Sequence, residues 1–287
     1  MLKQRVITAL VLLAVLLPTL FLGPVAAFVT LVLVLIAAAA WEWARLNGLG
    51  RPGSVASGLA CVLLCALSWR LDLLAPSRPL FALWLVCGAA WVLLGAWALR
   101  GGVPAWSGLA RSVRLALGLL ALWLAWLAVA KARVLGINFL LSVMALVWVA
   151  DIAAYFSGRA WGGRFSRGKL APSISPGKSW EGVWGAMVAA SALAFGWRWV
   201  DAALQVEQPS FFTLAGAPGP VLLLLSVVFL VAISVVGDLF ESLVKRSAGV
   251  KDSSGLLPGH GGVLDRVDAL LPALPLAMML YTVVAAR

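Results

Sequence analysis

GDLFESLVKRSAGVKDSSGLLPGHGGVLDRVD, residues Gly237–Asp268, lies between two apolar segments and holds the only histidine of the chain. Charged side chains beside a bilayer are costly and are rarely kept there without a function. Carboxylates bind divalent metal ions through hard oxygens, Lys and Arg bind phosphate, and a turn rich in Gly and Pro lets backbone N–H groups approach a phosphate. The stretch therefore predicts a site for phosphates and a divalent cation.

The composition of the chain is that of an integral membrane protein. Of its 287 residues, 63% are hydrophobic and 11% are charged, whereas a soluble domain has about 25% charged residues. The mean hydropathy is +1.03. No soluble domain of useful length is present, so we expect any catalysis to take place at the membrane.

The net charge of +11 does not indicate a nucleic-acid partner, because the basic residues are spread over short loops between apolar runs. This distribution follows the positive-inside rule and also suits anionic lipid. With the N-terminus inside, most of the 22 Lys and Arg residues fall on the inner side of the membrane. This orientation places both polar loops of the C-terminal half in the cytoplasm.

The apolar runs predict an all-α polytopic membrane protein with about nine transmembrane helices, since a crossing needs roughly 17–25 residues. We expect the active site at the cytoplasmic face. The runs fall at 6–22, 24–41, 55–69, 80–99, 113–130, 134–157, 183–200, 219–237 and 269–286.

Asp238 ends the eighth apolar run, and Glu241, Ser242 and Lys245 follow at i+3, i+4 and i+7. On a helix these residues share one broad face. We therefore expect the eighth span to continue as a helix beyond the membrane surface, with its polar face turned inward. An ordinary solvated helix end is the alternative, and it is weakened because Asp238 borders the hydrocarbon.

Asp265 and Asp268 are three residues apart, shortly after the Gly-rich segment Gly259–Gly262. If the ninth helix begins near Val263, both carboxylates project from its first turn on one side, where the positive helix end favours anions. Capping of the helix by Asp is the alternative. Two acids with Arg266 between them exceed what a cap requires.

Two further acids lie within or beside apolar runs. Asp151 lies inside an apolar run, where an ionisable group is a functional candidate by default; a pairing with an Arg of a neighbouring helix is an equal alternative. Glu42 lies between Trp41 and Trp43 near the end of a run, and a structural role is favoured there.

A string of residues with fixed spacing gives the most specific signal. It comprises Ser242-x-Val244-Lys245-Arg246, Lys251-Asp252-x-Ser254 and Leu257-Pro258-x-His260-Gly261-Gly262-Val263-x-Asp265-Arg266-Val267-Asp268. This string resembles the signature of the phosphatidate cytidylyltransferases, the CDP-diacylglycerol synthases. The segment Ser175–Gly182, SPGKSWEG, is similar to the second polar loop of that family. The resemblance covers roughly the C-terminal half; the N-terminal half is similar only in being multi-span membrane helix.

The resemblance implies a transfer of the cytidylyl group of CTP to phosphatidate, giving CDP-diacylglycerol and pyrophosphate in phospholipid biosynthesis. It implies Mg²⁺ as cofactor, as one or two ions, with Asp238 and Asp265 as leading ligands and with Asp268 and Asp252 as weaker candidates. The expected substrate-binding residues are Ser175, Lys178, Glu181, Gly261 and Gly262. The expected catalytic residues are Lys245, Arg246, Lys251, Asp252, His260, Arg266 and Asp268.

The expected partners are CTP, phosphatidate, membrane lipids and a second copy in a homodimer, at a bacterial-type inner membrane. Lys245 and Arg246 are adjacent and point about 100° apart on a helix, so we expect one to hold nucleotide phosphate and the other lipid phosphate. Arg164 and Arg167 supply further cations, for which a positive-inside role is an equal alternative.

We expect two parts of the chain. Residues 1–133 form N-terminal membrane helices with a lipid-facing or dimerisation role, and residues 134–287 form C-terminal helices with cytoplasmic catalytic loops 158–182 and 238–268. A transporter or channel is one alternative, but it needs no dense phosphate-type loop and paired broken helices are not apparent. A polyprenol kinase or an ether-lipid CDP-activating enzyme is the other, because these would share the metal and nucleotide half.

Overall fold

The computed structural model describes residues 2–166 and 168–285. Arg167, predicted above as a further cation, lies outside the described residues. The chain is built from long helices joined by short connections, with one small hairpin. The helices are α1 Leu2–Phe21, α2 Val25–Leu46, α3 Arg51–Arg70, α4 Phe81–Gly108, α5 Arg111–Leu135, α6 Ile137–Trp161, α7 Trp180–Ala203, α8 Phe211–Ala215, α9 Pro220–Ser247, α10 Leu264–Val267 and α11 Leu270–Ala285, and the strands are β1 Lys169–Ala171 and β2 Ser175–Ser179.

Each of the nine predicted apolar runs falls on one long helix to within a few residues. Among the described residues, seven segments are long and apolar enough to cross a membrane: α2, α3, α4, α5, α6, α9 and the segment Leu264–Val284 that includes α10 and most of α11. In α1 the apolar part, Val6–Phe21, is shorter. The prediction of a mostly helical membrane protein is confirmed, and the count of nine crossings stays a prediction.

Helix α9 is central and packs against α4, α7 and α11. Its approach to α11 is close because Gly237 has no side chain: a Cβ there would collide with the carbonyl oxygen of Asp268 and the ring of Pro272. Small residues let membrane helices pack tightly where lipid offers no hydrophobic driving force. Gly237 therefore brings Asp238 next to the start of α11.

Helices α6 and α7 pack against each other over a large part of their length. The small residues Ala186, Ala190 and Ala194 recur every four residues on α7 and are completely buried, as a closely packed helix face requires. The first turn of α7 is thereby fixed beside the end of α6. These two helix ends hold the second polar loop.

The second polar loop contains structure that the sequence analysis did not predict. Strands β1 and β2 pair in an antiparallel hairpin, with Lys169 opposite Ser179 and Ala171 opposite Ser175. Ser179 then caps α7 by accepting a hydrogen bond from the Gly182 N–H, which is a preferred use of Ser at a helix start. The prediction of a helical fold holds for most of the described residues, and the hairpin adds a short two-stranded sheet to it.

Candidate active site

The two polar loops of the C-terminal half lie together. Lys178 of β2 forms an ion pair with Asp238 of α9, and the Arg246 Nε donates to the Ile174 carbonyl over 3.4 Å. The extension of α9 to Ser247 confirms the prediction that the eighth span continues as a helix past its apolar run. This extension carries the signature loop, which follows α9, to the hairpin of the second polar loop.

Lys245 lies between two carboxylates at the end of α9. Its Nζ is 2.6 Å from the Asp265 Oδ1 and also pairs with Glu241 one turn earlier. Glu241 is buried, with 2% of its side chain exposed. The ammonium of Lys245 is therefore held by protein groups, whereas the neighbouring Arg246 is exposed and contacts only carbonyl oxygens. The expected divergence of the two cations is confirmed, with Lys245 turned inward.

Asp265 holds the glycine-rich turn in place. Its Oδ2 accepts hydrogen bonds from the Gly262 N–H at 2.7 Å, the Ser253 N–H at 2.9 Å and the Ser253 hydroxyl at 2.8 Å. With Oδ1 bound to Lys245, both oxygens of this carboxylate have protein partners. Asp265 as a metal ligand stays a prediction, and its contacts in the structure are those of a loop anchor.

Glu42 from the N-terminal half completes this turn. Its side chain is fully buried, and it accepts hydrogen bonds from the Val263 N–H at 3.0 Å and the Leu264 N–H at 2.7 Å. The Ser254 hydroxyl also donates to it, and the Ser253 hydroxyl oxygen lies 3.2 Å from its Oε2. Glu42 thus satisfies the free N–H groups at the start of α10, which otherwise lack intrahelical partners.

The structural role favoured for Glu42 is confirmed, but its connection to the signature loop was not foreseen. The one signal in the sequence is an acid between two tryptophans at the end of an apolar run. That signal marks the residue as unusual and does not identify its partners.

Three carboxylates face the region between α6, α9 and α11. The charge of Asp238 acts on both Asp151 and Asp268, and Lys178 is the cation that acts on Asp151. The Asp268 Oδ1 accepts a hydrogen bond from the Ala269 N–H at 2.8 Å. Asp151, for which pairing with an Arg was the alternative, is therefore beside Asp238 and Lys178. This region carries more negative than positive charge.

Glu181 anchors the start of the second polar loop. It is buried, with 3% of its surface exposed, and its Oε1 accepts from the N–H groups of Phe165 and Ser166 and from the Ser166 hydroxyl. Burial opposes ionisation, but these hydrogen bonds outweigh it and lower the pKa of Glu181 to about 2. Hydrogen bonds to the charged form of a carboxylate have this effect. Glu181 is thus an ionised anchor of the loop.

The remaining predicted residues are either exposed to solvent or in contact with other groups of the protein. Gly261 adopts a φ of +83° in the left-handed region that favours glycine, and the Gly262 N–H is bound to Asp265. Ser175 begins β2 opposite Ala171. The Nδ1 of His260 is buried without a hydrogen-bond partner among the described residues. Four predicted residues of the signature loop have exposed side chains: Arg246, Lys251, Asp252 and Arg266.

The geometry is that of a membrane protein with a polar site of carboxylates and cations, assembled from two loops at one end of its helices. Comparison with known proteins shows which family this is. The model of the cytidylyltransferase family matches residues 3–284. The chain belongs to this family.

Two relatives illustrate the similarity. A phosphatidate cytidylyltransferase of Pseudomonas aeruginosa is 43% identical over 279 residues, which cover 96% of this chain and 95% of the relative. The protein of the same name from Haemophilus influenzae is 51% identical over 146 residues, covering 51% of this chain and 46% of the relative. The family that the signature predicted is confirmed.

Proposed function

We propose that this protein is a phosphatidate cytidylyltransferase, a nucleotidyltransferase of phospholipid synthesis. A relative of that name aligns with nearly the whole chain, N-terminal half included. The structural observation that supports the proposal is the ion pair between Lys178 and Asp238. It joins the two polar loops into one site where a nucleotide and a lipid phosphate can meet.

In the proposed reaction, a phosphate oxygen of phosphatidate attacks the α-phosphorus of CTP in line. The new bond forms as the bond to the β-phosphate breaks, and pyrophosphate leaves with the bond electrons. The nucleophile is anionic at neutral pH, so no strong general base is required. The main barrier is repulsion between two anions, and fixed cations and oriented N–H groups lower such a barrier. Exposed Arg246, Lys251 and Arg266 suit this role.

The donor chemistry fits Mg²⁺. Mg²⁺ is usually bound through one or two carboxylates together with substrate phosphates. Among the described residues, no three acidic, His or Cys side chains are grouped so that they could hold a metal ion by themselves. Asp238 and Asp268, whose charges repel each other, would hold the ion. When bound, it would neutralise phosphate charge and align the oxygens.

Substrate specificity can be tested with purified protein, Mg²⁺ and CTP labelled at either the α- or the γ-phosphate. We expect the α-label in the lipid product and the γ-label in released pyrophosphate, with diester phosphatidate as substrate. Transfer of the γ-label into lipid would identify a polyprenol-type kinase instead. Turnover restricted to ether-linked lipids would indicate the ether-lipid enzyme. Absence of lipid labelling would favour the transporter alternative.

We further propose that nine helices cross the inner membrane and that the site faces the cytoplasm, where CTP is found. The charge distribution over the loops supports this orientation. After replacement of the native cysteines, single cysteines at Ser173 and Val250, both exposed, should react with an impermeant thiol reagent only from the cytoplasmic side. Labelling from opposite sides would refute the proposed topology. A homodimer stays a prediction.

A further inference from the structure

The ion pair between Lys178 and Asp238 holds the lysine by a single contact. Lys178 lies on β2 and Asp238 on α9, and their side chains are partly buried, with 25% and 32% exposed. Apart from this pair, the buried Nζ of Lys178 has no hydrogen-bond partner among the described residues. An ammonium has three N–H donors, so most of the hydrogen-bonding capacity of this lysine is unused.

Two other lysines show firmer contacts. Lys245 pairs with both Glu241 and Asp265. The Nζ of Lys131 donates to three backbone carbonyl groups in the connection between α3 and α4. Each of these ammonium groups is held by several protein oxygens, whereas Lys178 depends on one carboxylate. The contact of Lys178 is therefore of a kind that another cation can replace.

Asp238 differs from other acids of the two polar loops in the partner that it has. Asp265, Glu42 and Glu181 accept hydrogen bonds from backbone N–H groups. The partner of Asp238 among the described residues is instead the Lys178 ammonium. If Lys178 moves away, the carboxylate oxygens of Asp238 become available to a metal ion.

The negative charge around Asp238 exceeds the charge of one ammonium. Gly237 lets α9 approach the Asp268 carbonyl closely, so that Asp238 and Asp268 lie on facing helices. The charge of Asp238 acts on Asp268 and also on Asp151. Because electrostatic attraction grows with the charge of the cation, a divalent ion can displace the Lys178 ammonium from Asp238.

We propose that Lys178 competes with the divalent cation for Asp238 and moves to a substrate phosphate when the cation binds. The inference rests on the proposed function, which supplies both the cation and the phosphate. Lysine binds phosphate as a point charge, and the partial exposure of Lys178 gives phosphate access to it. Binding of the cation and binding of a phosphate are thereby coupled, so that the free divalent ion alone binds poorly.

Direct binding of Mn²⁺ tests the competition without turnover. Mn²⁺ serves as a paramagnetic substitute for Mg²⁺, and its binding to the purified protein is measured by electron paramagnetic resonance with neither nucleotide nor lipid. Lys178→Met should bind Mn²⁺ about tenfold more tightly than wild type, because loss of one charge-assisted contact changes binding by about this factor. The double variant Lys178→Met with Asp238→Asn should lose this gain.

Three further variants separate the competition from a general effect of charge. Lys169→Met is the matched control, because exposed Lys169 lies on the same hairpin and donates to the Pro176 carbonyl. It should change the Mn²⁺ affinity less than about twofold, as expected for an exposed charge. Lys178→Arg keeps the charge and should bind Mn²⁺ as weakly as wild type. Lys178→Gln is a second neutral variant, for the case that Lys178→Met does not fold, and should show the same gain.

Methyl phosphate tests whether a phosphate takes up the lysine, since this anion binds Mn²⁺ only weakly. It should raise the Mn²⁺ affinity of wild type and leave that of Lys178→Met unchanged. An equal response of both proteins, or no response of wild type, would overturn the transfer of Lys178 to phosphate.

Equal Mn²⁺ affinities of wild type and the two neutral Lys178 variants would overturn the competition. A gain in Lys169→Met as large as that in Lys178→Met would overturn it as well. Failure of the proposed function is distinguishable from these outcomes, because it is observed in the labelled-CTP assay as absence of CDP-lipid, whereas Mn²⁺ binding is measured without any turnover.

Discussion

Replacement of Glu42 by Gln tests whether a helix of the N-terminal half holds the signature loop in its active arrangement. Glu42 accepts one backbone hydrogen bond on each oxygen, from Val263 on Oε1 and from Leu264 on Oε2. The Gln amide must turn its NH₂ toward one of these N–H groups, because it has a single carbonyl oxygen. One buried N–H is then left without an acceptor, which costs about 1–3 kcal/mol.

Glu42→Ala leaves both N–H groups without an acceptor, at about 2–6 kcal/mol, and is expected to fold poorly. For the milder Glu42→Gln, we expect kcat to fall about a hundredfold per folded molecule, since a displacement of about 1 Å in a catalytic arrangement has this effect. Asp268 lies only four residues after Leu264, so a displacement of the first residue of α10 also displaces Asp268. Thermal unfolding in detergent and initial rates with CTP and phosphatidate measure the two effects separately.

Asp201 provides the control. It is a buried acid with a similar set of hydrogen bonds, and it lies at the C-terminal end of α7, whereas the second polar loop adjoins the N-terminal end. It accepts hydrogen bonds from the Ser210 N–H, the Thr213 hydroxyl and the Asn138 amide. Asp201→Asn should lower the unfolding temperature and leave kcat per folded molecule unchanged. If Glu42→Gln also keeps the wild-type kcat, or if Asp201→Asn loses activity equally, the positioning role of Glu42 is refuted.

Three shorter predictions concern the C-terminal half. Asp238→Asn should nearly abolish turnover at the Mg²⁺ concentration that saturates the wild type, because a neutral amide is a poor ligand for Mg²⁺; retained activity with a wild-type dependence on Mg²⁺ would remove Asp238 from the metal site. Lys245→Ala should destabilise the fold by about 3–5 kcal/mol, because it leaves buried carboxylates without a cation. Arg246→Ala, at an exposed position, should raise the KM of one substrate about ten- to a hundredfold without lowering the unfolding temperature. Equal effects of the two variants on stability would contradict this difference. The pKa of Glu181 is lowered to about 2 from an ordinary value of about 4.3. Its carboxylate should therefore stabilise the loop above about pH 4.3, and this stabilisation should be lost as the pH falls through the lowered pKa. Hydrogen exchange at the Ser166 amide measures the loss, and unchanged protection of this amide at the acid end would contradict the prediction.

The helices of this protein could be predicted from local sequence. An apolar run in a bilayer must satisfy its backbone hydrogen bonds internally, so its length and composition are sufficient to predict a helix. The same local logic predicted the polar extension of α9, because the spacing of Glu241 and Lys245 is that of one helix face. The hairpin at Lys169–Ser179 was missed because its residues show no apolar alternation.

The sequence showed which residue types the site contains, but it did not show which role each residue has. Asp265 and Asp268 look equivalent in the sequence, three residues apart at the start of a helix. In the structure, Asp265 binds Lys245 and the glycine-rich turn, and Asp268 faces Asp238. The difference depends on which distant groups each carboxylate meets.

The sequence alone determined that this is a membrane protein of mostly helical fold with a phosphate-type loop of a recognisable family, because hydrophobicity, helix period and motif spacing are local properties. Only the tertiary structure decided that Glu42, which lies 211 positions before Ser253, secures that loop. It alone also decided that Lys178 of the hairpin pairs with Asp238 of α9. Contacts between distant residues follow from how complete helices pack, and residue spacing along the chain does not determine that packing.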